Sequence, residues 1–130
     1  NSAYAIKVGY GSQVEIGQAG SRGLYVHGDV TATGNITGYS DEKIKDNVEV
    51  IPNALDKVSQ VRGVTFDRID LNDGKRYAGV IAQEIEAVLP EVVQEDSNGV
   101  KTVAYGNMVG LLIEAIKELK AEIEELKKSK

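Results

Sequence analysis

A chain of 130 residues with a formal charge of -5 forms one domain, or one domain with part of another attached. The absence of cysteine excludes a disulfide framework and thiolate metal sites, and the single histidine, His27, excludes a multi-histidine metal centre. The negative balance weighs against nucleic acid as a partner, because phosphate binding needs a basic face, and no apolar run is long enough to span a membrane.

With one Phe and no Trp the chain has few large anchors for a core, so association between copies is an expected source of further burial. The start at Asn1, without a basic-then-apolar leader, reads as a fragment cut from a longer polypeptide.

Residues 1–39 hold eight of the 14 glycines and no proline, and Lys7 and Arg22 balance Glu15 and Asp29. Between the glycines lie short β-type runs: Tyr4–Val8, Val14–Ile16, Leu24–His27 and Asp29–Thr33. Strands this short cannot bury a face within one chain. They predict an intertwined β-stalk shared with identical chains.

From Ser40 onward the chain carries all the net negative charge and the pattern changes. Residues 51–58 predict a short helix starting near Pro52 or Asn53, with Ala54, Leu55 and Val58 on one face. Val61–Arg68 alternates like a strand, and Asn72-Asp73-Gly74-Lys75 reads as a hairpin turn in which Asp-Gly supplies positive φ. Tyr77–Ile81 is the return strand. Residues 82–89 predict an amphipathic helix stopped by Pro90. A second hairpin follows, with 92–95 and 100–104 joined across Asp96-Ser97-Asn98-Gly99.

The closing segment, about residues 106–128, is heptad-patterned. Val109, Leu112, Ile116, Leu119, Ile123 and Leu126 alternate spacings of three and four, with β-branched residues mostly at a and Leu at d. Glu114, Lys117, Glu118, Lys120, Glu122, Glu124 and Glu125 read as a solvated shell around this seam. That polar density favours a coiled coil over a lone surface helix. The fold class expected is therefore α+β: the end of a β-stalk, a small mixed α/β head and a long coiled-coil helix.

Candidate chemistry sits at the boundary, in Gly38-Tyr39-Ser40-Asp41-Glu42-Lys43-Ile44-Lys45-Asp46-Asn47. A Ser-Lys pair performs acyl chemistry without histidine if the lysine is neutral. Free lysine titrates near ~10.4, so burial or a neighbouring cation must lower that value before it takes a proton at pH 7. The plain alternative is a capping box, but Ser40-x-x-Lys43 lacks the Glu that box needs. Other patterns carry less. Gly9-Tyr10-Gly11 has no following helix, and Asp67, Asp70 and Asp73 fail the calcium-loop pattern because Ile69 and Leu71 occupy ligand positions. Asn35-Ile36-Thr37 is an incidental sequon, His27 a strand residue, and Tyr105 and Met108 packing residues.

Residues 40–126 resemble the intramolecular chaperone found at the C-terminus of phage tail fibres, tailspikes and endosialidases, which is also classed as a self-cleaving serine peptidase. The resemblance rests on Ser40-Asp41-Glu42-Lys43-Ile44-Lys45, on Tyr77–Ile85 with Leu89-Pro90-Glu91-Val92-Val93, and on Val103-Ala104-Tyr105 leading into Leu111–Leu119. Residues 28–36 look like the end of a trimeric fibre stalk.

The resemblance implies a homotrimer whose chaperone, residues 40–130, registers three chains and is then cut away between Tyr39 and Ser40. Ser40 is the implied nucleophile and Lys45 the implied base. Lys43 stands where the family usually has Arg and is a charged helper. The implied partners are other copies of the chain and its own upstream fibre segment, with no cofactor, metal, small-molecule ligand, nucleic acid or membrane. Assembly would occur in the host cytoplasm, leaving the fibre in the virion tail and the chaperone released. Two alternatives compete: an oligomerisation cap that stays attached with an inert Ser-Lys pair, and a similar domain releasing a membrane-tethered regulator. The stalk-like segment and the lack of a membrane span count against the second.

Overall fold

The computed structural model describes Gly11, Val14, Ile16 and residues 23–129. The chain divides into two compact units, Asn1–Lys45 and Asp46–Lys130. The expected strand Tyr4–Val8 lies outside the described residues, as does Glu15 within Val14–Ile16.

In the first unit every described residue is exposed, and the one regular element among the described residues is a 3-10 turn, Glu42–Ile44. The runs Leu24–His27 and Asp29–Thr33, expected as strands, form none in the single chain. Leu24, Tyr25, Val30 and Ile36 accordingly stand in solvent. A strand exists only where a neighbour takes its backbone N–H and C=O groups, and segments interrupted by glycine this often offer none within one chain.

The second unit is mixed α and β. Helix α1 (Ala54–Ser59) is followed by the antiparallel hairpin β1 (Val64–Asp67) and β2 (Arg76–Gly79), in the register Val64–Gly79 to Asp67–Arg76. The turn between them places positive φ at Asn72 and Gly74 rather than at Asp73. Asp73 instead accepts hydrogen bonds from Lys75 N at 3.0 Å and from the Tyr77 hydroxyl. Helix α2 (Ala82–Val88) ends before Pro90. The second hairpin pairs β3 (Val93–Glu95) with β4 (Lys101–Val103). Asp96 organises its loop by accepting from Asn98 N at 2.8 Å and Val100 N at 3.0 Å. A 3-10 turn, Tyr105–Met108, leads into α3 (Val109–Lys128). No helix of the described residues is long and apolar enough to cross a membrane.

One core joins these elements: Ala54 of α1, Ile85 and Val88 of α2, Leu89, Val92 and Met108, and Leu111 and Ala115 of α3. Tyr105 is half-exposed rather than packed, but its hydroxyl occupies the space a Cβ on Gly79 would fill and accepts from Val80 N at 3.3 Å. A Cβ on Gly79 would displace that hydroxyl, and β2 and the turn before α3 meet there.

Ion pairs hold the periphery. The Arg62 guanidinium grips Glu84 of α2, with Nη2 at 2.5 Å and Nε at 3.1 Å from Oε2. Lys101 reaches Glu86 at 3.1 Å and Glu95 at 3.7 Å. Three carboxyls are held below their ordinary values: Glu84 by hydrogen bonds from Arg62, Asp70 by Arg68, and Asp73 by the Tyr77 hydroxyl. A carboxyl lowered in the fold contributes stability that is complete above its unfolded value and is lost as pH falls through the folded one. The urea midpoint is therefore expected to hold from neutrality to about pH 5 and to fall steadily below about pH 4. A midpoint unchanged down to about pH 3 would mean these bonds do not distinguish folded from unfolded chain.

Candidate active site

Ser40 and Lys45 would stand ~17 Å apart on an extended chain. A single turn removes that separation. Ile44 N donates to Asp41 O at 3.2 Å and Lys45 N to Glu42 O at 3.1 Å, closing the 3-10 turn. Asp41, in an extended conformation at the N-cap, accepts from Lys43 N through its carboxylate at 2.9 Å. The chain leaves the turn extended at Lys45, and Lys45 Nζ donates to Ser40 Oγ at 2.6 Å. Both residues belong to the first compact unit, whose boundary falls just after Lys45.

Sequence reading missed the cap. It tested Ser40 as the capping residue, whereas Asp41 caps and leaves the Ser40 hydroxyl to Lys45. The available signal was an Asp immediately ahead of the turn, one of the strongest N-cap types.

Tyr39 is 97% exposed, and a cavity of about 260 Å³ lies against Tyr39, Ser40, Asp41, Lys43 and Ile44. Lys43 does not reach the serine: its Nζ lies 4.0 Å from Asp41 Oδ2 and its side chain is 81% exposed. As the contact stands, the lysine donates and the hydroxyl accepts. With the amine uncharged the same contact reverses, and the lysine takes the serine proton.

The second functional feature is the surface of α3. Leu111 and Ala115 are buried in the head and Glu118 is half-buried beside them. The heptad residues Val109, Leu112, Ile116, Leu119, Ile123 and Leu126 form a neighbouring stripe, each 45% to 67% exposed. One helix thus carries two apolar stripes, and only one is used by its own chain.

Glu118 corrects the expectation of a uniformly solvated shell. Its carboxylate accepts from Ala54 N at 2.7 Å and Leu55 N at 3.1 Å, capping α1. Asn53 cannot serve, because it sits in the left-handed region at φ 53° and makes no side-chain cap bond.

Residues 40–94 match the model of a peptidase family described as chaperone of endosialidase. This segment is similar to that family. The chaperone-of-endosialidase match begins at Ser40, and β4 and α3 lie beyond its end.

The chain is also similar to long tail fibre proteins Gp37. It is 37% identical over 124 residues to that of Enterobacteria phage T2, covering 90% of this chain and 9% of the relative. Against Enterobacteria phage K3 it is 36% identical over 124 residues, covering 90% and 10%. Against Enterobacteria phage M1 it is 38% identical over 96 residues, covering 68% and 38%. The chain thus spans about a tenth of the length of the first two of these curated relatives.

Proposed function

We propose that this chain is the chaperone end of a phage tail fibre, which brings three copies together through α3 and then severs itself between Tyr39 and Ser40. The observation that carries the reading is the 2.6 Å contact between Lys45 Nζ and Ser40 Oγ, beside the bond at which stalk-like sequence gives way to the family segment. In this reading the two products part: the fibre goes to the virion tail and the chaperone is discarded in the host cytoplasm.

The reaction follows from the site. Uncharged Lys45 takes the proton from Ser40 Oγ as the oxygen attacks the Tyr39 carbonyl carbon. The C–N bond breaks, the proton passes to the departing Ser40 amine, and the Tyr39 acyl group rests on Ser40 as an ester. Water then hydrolyses the ester, giving a Tyr39 carboxylate and a Ser40 with free hydroxyl and α-amine. One water is consumed and no cofactor is needed.

The folding role follows from chain entropy. Strands that pair only between molecules cost much entropy before any contact forms, and joined helices lower that cost by raising the effective concentration. Cleavage then leaves the fibre behind a high unfolding barrier, without the domain that aided its assembly.

The test is the intact mass of the chain expressed with its upstream fibre segment. Two products whose masses sum to the precursor plus one water, the second beginning at Ser40, support the reading. A chain that stays full length after its stalk has folded removes the peptidase part and leaves the attached cap. That second reading draws on one observation, the exposure of both Ser40 and Lys45, which leaves the pair open to water in the single chain.

The Asp41 cap gives a graded prediction. Asp41→Ala is expected to slow cleavage about fivefold, the cost of about 1 kcal/mol of lost capping, whereas Asp41→Asn keeps an acceptor and most of the rate. Equal rates in both variants would show that the turn forms without the cap.

A further inference from the structure

A cavity of about 580 Å³ beside the second hairpin has the form of a slot. The consecutive residues 99–103 line one side and 80–83 another, and Phe66 and Tyr105 complete it. No residue of β3 takes part. The slot therefore follows the edge of β4 that faces away from β3, rather than a face of the sheet.

The ladder shows what that edge offers. Asp96 N donates to Val100 O at 2.9 Å, and Ala104 N to Val92 O at 2.8 Å. In an antiparallel pair, hydrogen-bonded positions alternate with positions whose N–H and C=O point outward. The pairs Val93–Val103 and Glu95–Lys101 fall on the outward positions, so Lys101 and Val103 turn their backbone groups toward the slot. Across from them, Val80 N is taken by the Tyr105 hydroxyl at 3.3 Å, and Ile81 O accepts from Glu84 N at 3.0 Å and Ile85 N at 3.2 Å.

An open strand edge beside an apolar slot takes an extended peptide as an added strand. Charge selects the peptide, because an unpaired charge is costly to bring into such a slot. The lining is uncharged apart from Lys101, whose ammonium is held by Glu86 at 3.1 Å and Glu95 at 3.7 Å. Of the four β-type runs in the stalk-like segment, Tyr4–Val8 carries Lys7, Val14–Ile16 carries Glu15 and Asp29–Thr33 carries Asp29. Leu24–His27 carries none with His27 neutral, forms no strand in the single chain, and leaves Leu24, Tyr25 and Val26 exposed.

We propose that the slot beside β4 receives the run Leu24–His27 of a neighbouring copy as a third strand, and holds it until the stalk strands pair with one another. The proposal rests on the chaperone role in the proposed function and names the stretch of stalk that is held. It uses no residue of α3.

The probe is a fluorescent peptide of residues 23–28, titrated into the full-length Tyr25→Asp chain, whose own charged run no longer competes, and followed by anisotropy. Saturable binding that a scrambled peptide does not share is expected. No binding at millimolar concentration, or equal binding of the scrambled peptide, would overturn the proposal. An added strand bonds through every second residue, so peptides N-methylated at Tyr25 and at Val26 should differ. One is expected to raise Kd about fivefold, the loss of one hydrogen bond, and the other to leave it unchanged. Equal effects, or none, would overturn the strand geometry.

The head is tested separately. Lys101→Pro removes an outward N–H and spares the ladder bonds on either side of it, whereas Lys101→Ala loses the same ion pairs but keeps the N–H. The proline chain is expected to bind the peptide about fivefold more weakly than the alanine chain, and equal affinities in two folded chains would overturn the proposal. If the proline chain does not fold, the methylated peptides decide on the unaltered head. A chain that assembles and cuts itself but binds no peptide ends this proposal and leaves the proposed function standing. One that binds the peptide but never cuts removes the peptidase part of that function and leaves this proposal.

Discussion

Lys45→Ala is expected to leave the Tyr39–Ser40 bond intact while the chain still folds and assembles. Among the described residues the lysine is the one basic side chain bonded to the serine hydroxyl, with Nζ at 2.6 Å from Oγ. Removal of a general base costs between about a hundredfold and about ten-thousandfold in rate. Lys45→Arg separates chemistry from charge: it keeps the cation but cannot give it up near neutrality, so it too is expected to stay uncut. Ser40→Ala lacks the nucleophile and serves as the baseline. Time courses on denaturing gels check all of this. If Lys45→Arg cuts as fast as wild type, the lysine is not the base.

Glu118→Ala is expected to be the most damaging single surface change in the head. It orphans Ala54 N and Leu55 N at the start of a helix whose own N-cap residue is turned away. The cost should be about 2 kcal/mol, from two charge-assisted bonds at a helix N-terminus. For a unit of this size that lowers the melting midpoint by about 10 °C. Glu118→Gln keeps one carbonyl acceptor and should lose about half as much. Because the proposed association would make the midpoint depend on concentration, the variants are compared at one protein concentration. A loss under about 0.5 kcal/mol would mean water replaces the carboxylate at no cost.

The exposed seam also explains why a head this small can hold a 20-residue helix. Leu111, Ala115 and Glu118 tie its first half to the core and to α1. The second half is exposed.

Local features were legible in the sequence. Heptad spacing marked α3 and its seam residues, Pro90 marked the end of α2, and Asp73-Gly74 and Asn98-Gly99 marked both hairpin turns. Each of these is written in a few consecutive residues by periodicity or turn chemistry. The strands expected at Leu24–His27 and Asp29–Thr33 were legible as composition only: in the single chain these residues form no strand.

The sequence by itself determined the composition boundary at Ser40, the elements that follow it and the stripe that α3 leaves exposed. Only the tertiary structure decided that Lys45 folds back onto Ser40, that Asp41 holds that turn, that the Tyr105 hydroxyl fills the space at Gly79, and that Glu118 caps a helix 64 residues away. The physical reason is that a polar side chain has no fixed role in sequence. A glutamate at a solvated heptad position and a glutamate that closes a helix look alike until the backbone donors they face are brought beside them.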